Sequence, residues 1–349
     1  MEQARTTRED EEMNQATTRS IARTIRNGLL ATALTGIAFA GQASAEETLK
    51  AISAFPQSLA FSQSFKGFVD LVNERGKGVI QINYAGGPEM FPPNQQVDAV
   101  RRGVIDMQYG PASYYLGTMP EADAWVGSTV TAAKARENGG FGIMQEAFSK
   151  KLGVNLLAHL DTGVQFYIYT INEPKRTEDG GIDLDGQRIR SQPIYNSFFE
   201  ALGAIPVSVP VPDVYTGLER STFDGSGWPI VGIQDLSWDK FLRYRIDPGF
   251  FQTDLAVVVN PAKWDSLSNE AKKIINDAAA EYEQTSYENF QKVIEETDKA
   301  VRENGMEVIT LEGEAQAKFL DLAYDSAWKR MKDSGSEYYD ALREAYYDR

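Results

Sequence analysis

The spacing of apolar residues in the first half of the chain alternates between strand and helix patterns. Residues 49–55, which end just before Pro56, have a pattern typical of a strand, and from Phe61 to Val72 the apolar residues recur at helical spacing. In residues 79–84 every second residue is apolar, and residues 105–109 again have a strand pattern. Because strands and helices alternate along this part of the chain, we predict an α/β fold with a mainly parallel sheet.

The second half of the chain continues this alternation and contains one unusually long helical pattern. Strands are predicted at residues 165–171, 187–192, 255–259 and 306–310, and a short helix is predicted at residues 214–220 after Asp213 as its cap. The long pattern begins at Ser268 and continues towards Val301, and Gly305 has the residue type preferred just beyond a helix end. These patterns predict two α/β lobes with more than one crossing of the chain between them.

The first 45 residues have the pattern of a secretory signal peptide. Three arginines at positions 19, 23 and 26 precede an apolar run at residues 29–40, and Ala43-Ser44-Ala45 follows as a cleavage motif. We therefore expect cleavage after Ala45, with Met1 or Met13 as the translation start. An amphipathic helix on a membrane surface is the alternative interpretation of this segment.

Composition and charge narrow the class of protein. The chain is 42% apolar, has no cysteine and has a formal net charge of -15. Disulfides, thiolate nucleophiles and cysteine metal sites are thereby excluded, and we expect neither a lipid anchor nor a nucleic-acid partner. Because the net charge repels anions, an anionic ligand would have to be bound by locally placed cations.

The familiar catalytic and nucleotide-binding signatures are missing from the sequence. Its only histidine, His159, lies in an apolar strand pattern and is predicted to be a core residue. No phosphate-binding glycine motif is present. We therefore predict that the protein is not an enzyme, with a secreted hydrolase that uses two carboxylates as the alternative.

Three segments carry a resemblance to a known family. Residues 86–107 include Gly103-Val104-Ile105-Asp106-Met107, residues 184–190 are Leu-Asp-Gly-Gln-Arg-Ile-Arg, and residues 202–225 contain Leu-Gly-Ala-Ile-Pro, Asp-Val-Tyr and Phe-Asp-Gly in that order. In this combination the chain resembles the solute-binding proteins of TRAP (tripartite ATP-independent periplasmic) transporters, the DctP family. The likeness extends over essentially all of residues 48–349.

The resemblance implies a fold, a function and a location. It implies a two-lobed periplasmic binding protein fold with a hinge and a long C-terminal helix that bridges the lobes. The first lobe is predicted to contain residues 46–163 and 254–290, and the second residues 164–253 and 291–349. The implied function is the capture of a small organic carboxylate in the periplasm and its delivery to the TRAP permease subunits, by a monomer or a dimer. A binding protein of an ABC importer is the alternative.

Arg190 matches the family arginine that pairs with the ligand carboxylate. A planar guanidinium can donate two parallel N–H bonds to the two oxygens of a carboxylate. Arg188 shares the same strand face by alternation, so the spacing alone does not distinguish the two arginines. The resemblance selects Arg190 and leaves Arg188 as a structural or exposed residue.

Two departures from the family pattern indicate the kind of ligand. Gln165 stands where many members have a second arginine, and Trp228 stands where relatives that bind sugar acids have an amide. We therefore predict a monocarboxylate bound against an aromatic wall, with a core position as the alternative for Trp228. Asp254 is predicted to accept a hydrogen bond from the ligand, with a salt bridge at the hinge as the alternative. The other residues predicted to line the site are Phe55, Phe91, Tyr109, Tyr114 and Phe250.

No cofactor or metal is predicted from the sequence. Some members of the family bridge ligand and protein with a divalent metal ion. Gln165, Trp228 and Asp254 are the residues that would lie near such an ion in this chain.

Overall fold

The computed structural model describes residues 45–348, which form two main β-sheets surrounded by helices. The signal-peptide prediction therefore lies outside the described residues, apart from Ala45. In chain order the strands are β1 (Glu47–Ser53), β2 (Ile80–Gly86), β3 (Met107–Pro111), β4 (Asn155–Leu160), β5 (Phe166–Thr170), β6 (Lys175–Arg176), β7 (Ile182–Asp183), β8 (Arg188–Ser191), β9 (Ile205–Ser208), β10 (Gly225–Pro229), β11 (Tyr244–Phe250), β12 (Leu255–Val259) and β13 (Glu307–Thr310).

The α-helices pack on both sheets, and within residues 45–348 none combines the length and apolar character needed to cross a membrane. They are α1 (Ala60–Arg75), α2 (Gln96–Arg101), α3 (Ala122–Val126), α4 (Ala132–Glu137), α5 (Gly140–Ala147), α6 (Pro193–Ala201), α7 (Val211–Glu219), α8 (Pro261–Ser266), α9 (Asn269–Glu303), α10 (Gly313–Asp333) and α11 (Tyr339–Tyr346).

The first sheet has the strand order β2-β1-β3-β12-β4. β1 pairs in parallel with β2 and β3, which are the strands that the alternating pattern predicts. β12 comes from much later in the chain and pairs antiparallel with both β3 and β4. The sheet is therefore mixed, and its late strand ties the second half of the chain to the first.

The second sheet has the strand order β13-β11-β5-β10-β8-β9. β8 pairs in parallel with β9 and β10, whereas β5 pairs antiparallel with β10 and β11. Two α/β units built on separate sheets, with chain crossings between them, are the architecture of a two-lobed binding protein. The predicted fold class is confirmed, and the predicted residue boundaries of the lobes stay a prediction.

The two sheets are connected by two short segments that lie next to each other. One joins β4 to β5 through residues 161–165, and the other joins β11 to β12 through residues 251–254. Thr253 N–H donates to the Val164 carbonyl over 3.0 Å, and the Thr253 hydroxyl donates to the Asp161 carbonyl. Gly163 N–H donates to Gln252 Oε1 over 3.1 Å. The two crossings are thus hydrogen-bonded to each other and form the connection about which the lobes could move.

Helix α9 is the third connection, and it begins and ends close to where the sequence predicts. The Ser268 hydroxyl caps its first turn by accepting from Ala271 N–H over 3.1 Å. Near its middle, Glu283 pairs with Arg136 of α4, and near its end Asp298 pairs with Arg245 of β11 over 2.7 Å. Glu283 also accepts a hydrogen bond from His159 N–H of β4 over 2.8 Å, so one helix is attached to both sheets, as the prediction of a bridging helix requires.

His159 is a core residue, as predicted. Its ring stacks on Trp125 at 3.8 Å between centroids, and its Nε2 lies 3.1 Å from the Thr253 carbonyl oxygen. Burial lowers the pKa of His159 to about 3, so the ring stays neutral. A neutral, hydrogen-bonded imidazole inside a stacked pair stabilises the fold and is unsuited to proton transfer at neutral pH.

Asp161 is a buried carboxyl group at the first crossing. It accepts hydrogen bonds from the hydroxyls of Ser64 and Tyr109, and its own N–H donates to Ser286 of α9. Burial raises the pKa of Asp161 from 3.8 to about 7, and the hydrogen bonds lower it by less. Between these two values the folded protein holds a proton that the unfolded chain has lost.

We expect the Asp161→Asn variant to gain stability relative to the wild type as pH rises. The contribution of Asp161 to stability is present below the unfolded pKa and is lost as pH rises through about 7. Between about pH 5 and about pH 8 the difference in unfolding free energy should shift by roughly 2 kcal/mol in favour of the variant. Denaturant unfolding of both proteins at the two pH values measures this difference. Asparagine is a suitable replacement because it tolerates the positive φ of 58° at this position. A difference that is independent of pH would contradict the assignment.

Candidate functional site

A small cavity lies between the two sheets, where strands of both end. Its volume is about 30 Å³, which is the space of about one water-sized group. The first sheet contributes residues after β1 and at the end of β3, and the second contributes residues after β8 and at the end of β10. The lining residues are Phe55, Phe61, Pro111, Ser113, Tyr114, Phe166, Gln192, Ile194, Tyr195, Trp228, Pro229, Thr253, Asp254 and Leu255.

Arg190 lies in β8 with its side chain fully buried against this cavity. Its Nε donates to the Val209 carbonyl over 3.0 Å, and its Nη1 donates to the Gly227 carbonyl over 3.1 Å. Within residues 45–348 the Nη2 atom has no hydrogen-bond partner, and no acidic side chain forms an ion pair with Arg190. The guanidinium is therefore oriented by two carbonyls and keeps an unused pair of N–H donors.

Aromatic rings of the cavity wall surround the guanidinium. Its central carbon lies 5.6 Å from the ring centroid of Trp228 and 5.7 Å from that of Trp238. Burial lowers the pKa of Arg190, while Tyr195 and Tyr114 act in the opposite direction. An arginine keeps its charge even after a substantial downward shift, so the site holds a cation behind an aromatic wall.

Arg188 occupies a different environment two residues earlier on the same strand. Its guanidinium pairs with Asp224 over 2.9 Å and donates to the Ser221 carbonyl over 3.0 Å. The Arg188 side chain is 44% exposed. The prediction that Arg188 is structural or exposed is therefore confirmed, because its charge is already paired at the surface.

Asp254 brings a second ionisable group to the cavity. It is 2% exposed, and its Oδ2 accepts from Ser113 N–H over 2.6 Å. Burial raises the pKa of Asp254 to about 6. At neutral pH this carboxyl group is therefore mostly ionised and accepts hydrogen bonds, whereas below about pH 6 it is mostly protonated and can donate one.

Two tyrosines of the cavity wall interact electrostatically with both Arg190 and Asp254. Both charged groups influence the pKa of Tyr114 and of Tyr195, and both tyrosines line the cavity. Burial raises the pKa of Tyr114 to about 12, so its hydroxyl stays protonated. The site therefore combines a buried cation, an ionisable acid and two protonated phenols.

The structure brings five of the nine predicted ligand-binding residues to this place. Phe55, Tyr114, Trp228 and Asp254 line the cavity directly. Arg190 is not part of the lining surface itself but lies against Trp228. Trp228 is also a packed core residue, because it is 4% exposed and its Nε1 donates to the Val231 carbonyl over 3.2 Å.

Gln165 does not belong to the cavity. It is exposed, and it lies beside Gly249, whereas its neighbour Phe166 lines the cavity. Successive residues of an extended chain point to opposite faces, so a difference of one position exchanges inside and outside. The three residues named for a bridging metal ion are therefore not brought together.

Tyr109, Phe91 and Phe250 also lie away from the cavity. Tyr109 stacks on Phe65 at 4.9 Å inside the first lobe and donates its hydroxyl to Asp161. Phe91 is half-buried among core residues packed on the other face of that sheet. Phe250 is fully buried behind the cavity wall, with its ring 4.8 Å from that of Phe198.

Several lining residues were not predicted. Gln192 and Tyr195 directly follow β8, so the rule that ligands bind beyond the carboxyl ends of strands could have found them. Phe166 could have been found from strand alternation. Ser113 follows β3 by two residues, so the same rule could have found it, whereas Thr253 had no such signal because the strand before it, β11, is not predicted from the sequence.

The donors of the site do not form a metal cluster. Within residues 45–348 no three histidine, aspartate or glutamate side chains are grouped closely enough to hold a metal ion. What the site offers instead is one buried cation, one titrating acid and aromatic surface. This set of groups is suited to a small anion with an apolar remainder.

A cleft between two α/β lobes is the arrangement found in periplasmic binding proteins. The sequence matches the family of bacterial extracellular solute-binding proteins, family 7 (DctP), over residues 53–334. The chain therefore belongs to the DctP family, whose members are the solute receptors of TRAP transporters. The predicted family and function class are confirmed.

Individual proteins that are similar to this chain are solute-binding proteins as well. The 2,3-diketo-L-gulonate-binding periplasmic protein YiaO of Escherichia coli K12 is 28% identical over 256 residues, or 70% of this chain and 75% of that protein. DctP7 of Bordetella pertussis, solved as a receptor binding pyroglutamic acid, has a TM-score of 0.76 at 18% identity, over 86% of this chain and 99% of that one. A marine metagenome TRAP protein specific for aromatic acids, solved with 3-hydroxybenzoate, has a TM-score of 0.73 at 23% identity, over 86% and 97%.

We expect Trp228→Ala to destabilise the unliganded protein strongly. Removing this indole would leave a void between Phe55 and Trp238, whose rings lie 6.4 Å and 5.0 Å from it. Large-to-small changes of this kind lower the unfolding free energy by about 3–5 kcal/mol. Chemical denaturation measures the loss, with the half-buried Trp264→Ala as the control for which we expect a smaller loss. Equal losses would indicate that Trp228 is no better packed than a surface tryptophan.

Proposed function

We propose that this protein captures a small organic monocarboxylate in the cleft between its lobes, through Arg190. It then delivers the ligand to the membrane subunits of a TRAP transporter. The observation that carries the proposal is the buried guanidinium with unused N–H donors and no acidic partner. Burying such a charge is unfavourable unless an anion completes its hydrogen bonds, and a ligand carboxylate has the required charge and planar shape.

The charges around the cavity favour one carboxylate over two. None of the lining residues is a lysine or arginine, so Arg190 is the cation available to a ligand there. A second carboxylate on the ligand would face Asp254 without a positive partner. A hydroxyl, amine or amide N–H on the ligand would instead donate to Asp254, and an aromatic or aliphatic remainder would contact Phe55, Phe166 and Trp228.

Two of the three named relatives bind ligands of this kind, whereas the third, YiaO, binds the sugar acid 2,3-diketo-L-gulonate. Pyroglutamic acid combines one carboxylate with one amide N–H, and 3-hydroxybenzoate combines a carboxylate with an aromatic ring and a hydroxyl. Family membership favours TRAP transport over the ABC-importer alternative. It also favours reversible binding over hydrolysis, because the family consists of solute receptors.

The rest of the proposal concerns location and motion. We propose export to the periplasm with cleavage after Ala45, and closure of the two predicted lobes about the crossings at residues 161–165 and 251–254. A ligand that contacts residues of both sheets stabilises the closed form, which is the form that the permease would recognise. No cofactor or metal takes part in this scheme.

We expect Arg190→Met to abolish carboxylate binding without unfolding the protein. The variant removes a buried charge and keeps an apolar side chain, so the melting temperature without ligand should change little. Affinity should fall at least roughly thirtyfold, equal to about 2 kcal/mol, because the ligand carboxylate loses its charged partner. A thermal-shift screen with lactate, 2-oxo acids, aromatic acids, sugar acids and C4-diacids, followed by calorimetry, measures both quantities.

Arg188→Met is the matched control, because it removes a guanidinium from the same strand that is paired with Asp224 at the surface. It should leave carboxylate affinity unchanged. Normal binding by Arg190→Met, or equal loss in both variants, would refute the assignment of Arg190. Turnover of a bound acid would favour the hydrolase alternative.

We expect carboxylate affinity to depend on pH through Asp254. Above its pKa of about 6 the ionised Asp254 repels the ligand anion, whereas below it the neutral acid does not. Affinity for a simple carboxylate should fall about threefold to tenfold between about pH 5 and about pH 8. Asp254→Asn should remove most of this dependence in calorimetric titrations. A wild-type affinity that is constant over this range would show that Asp254 does not face the ligand.

A further inference from the structure

A second, larger chamber adjoins the small cavity on its outer side. Its volume is about 500 Å³, and it lies between the loop after β2 and the segment that joins β9 to α7. None of its lining residues is charged, and six of them are prolines: Pro88, Pro92, Pro93, Pro193, Pro210 and Pro212. In a chain with a net charge of -15, this is an uncharged and mostly apolar concave surface.

The chemistry of the wall selects the kind of group that fits. A proline ring is apolar, and its backbone nitrogen has no hydrogen to donate, so the six prolines offer surface area but no N–H donors. Val209 and Val211 add further apolar surface. A charged or strongly hydrated group would lose its water there without a replacement, whereas an apolar group gains by leaving water.

The outer chamber and the inner cavity share parts of their walls. Tyr114 and Gln192 line both spaces. The Val209 carbonyl that orients Arg190 also accepts from Gln192 Nε2 over 3.3 Å, and Val209 itself lines the outer chamber. A molecule held at Arg190 therefore has a neighbouring space into which the rest of it can extend, past Tyr114 and Gln192.

The difference in size gives the two spaces different roles. The inner cavity of about 30 Å³ accommodates a head group of very few atoms, whereas the outer chamber of about 500 Å³ has the size of a small-molecule pocket. We propose that the outer chamber binds the apolar tail of the same carboxylate whose head group is held at Arg190. The ligand class is then an amphipathic monocarboxylate with an alkyl or aryl tail of several carbons. This inference rests on the proposed function and specifies its substrate.

A homologous series of straight-chain carboxylates tests the inference. Calorimetry of residues 46–349 with butanoate, hexanoate and octanoate should show affinity rising roughly fourfold per added methylene, equal to about 0.8 kcal/mol. The eight-carbon diacid suberate should not share this gain, because its second carboxylate would enter the uncharged chamber. Octanoate binding to Arg190→Met should be lost, because the head group is held there.

Two variants of Asn94 provide a matched control pair. Asn94 is exposed and lines only the outer chamber, so its replacement should not disturb the core or the head-group site. We expect Asn94→Leu to bind octanoate about threefold more tightly and Asn94→Asp about threefold more weakly, with butanoate affinity within about twofold of wild type in both. Opposite shifts for the long acid, together with no shift for the short one, would support the outer chamber as the tail site.

The outcomes separate this inference from the proposed function. If butanoate binds through Arg190 but affinity does not rise with tail length, the tail site is refuted and the monocarboxylate receptor stands. The same holds if both Asn94 variants leave octanoate affinity unchanged. If neither these straight-chain acids nor any acid of the thermal-shift screen binds the wild type, both proposals are refuted.

Discussion

The charge of Arg190 is placed where solvent does not reach it, and its neighbours compensate for it only in part. Two backbone carbonyls from Val209 and Gly227 accept its hydrogen bonds, and two indole rings lie near its face. These are dipoles and quadrupoles, so the desolvation of a full charge is not offset as an ion pair would offset it. When an anion binds, it supplies the charge and the hydrogen bonds that the buried guanidinium lacks in the unliganded protein. Binding thereby offsets the unfavourable desolvation of Arg190, so a single arginine can provide both affinity and selectivity for a carboxylate.

The position of that charge depends on how the lobes are joined. The cavity takes walls from both sheets, so its shape is set by the two crossings and by α9. Glu283 and Ser286 attach the middle of α9 to the first sheet, and Asp298 attaches its end to Arg245 of the second. In the proposed closure these attachments lie on one continuous helix, so movement between the sheets would be concentrated in the short crossings, where Thr253 is hydrogen-bonded to Asp161 and Val164. Residues that hold the hinge are thus the direct chain neighbours of the residues that line the cavity.

The features predictable from the sequence are those with a local cause. Helix α9 has a serine cap and a terminal glycine, and β12 is five apolar residues in a row, so the sequence predicts both nearly residue for residue.

Strand β10 is not predicted, because its sequence Gly-Ser-Gly-Trp-Pro has little strand propensity. Close packing requires glycine at position 227 of β10, because a Cβ there would lie 2.7 Å from the Phe199 ring. Helix α7 begins at Val211 instead of after Asp213, because Pro212 is favourable inside a first turn. The positions of Gln165, Tyr109, Phe91 and Phe250 depend on which face of an element meets the other lobe, and no local pattern encodes that.

The acidic surface and the uncharged outer chamber together shape how an anion can enter. A net charge of -15 repels a carboxylate at long range, although salt screens that repulsion beyond about 8–10 Å. Closer in, the proline-lined wall neither attracts nor repels the head group and instead favours an apolar tail. In the proposed scheme a diacid or a sugar acid would meet repulsion without compensation until it reached Arg190, whereas an amphipathic monocarboxylate would gain apolar contact before its head group was bound. Selection among acids would then begin in the outer chamber and be completed by the single guanidinium behind Trp228.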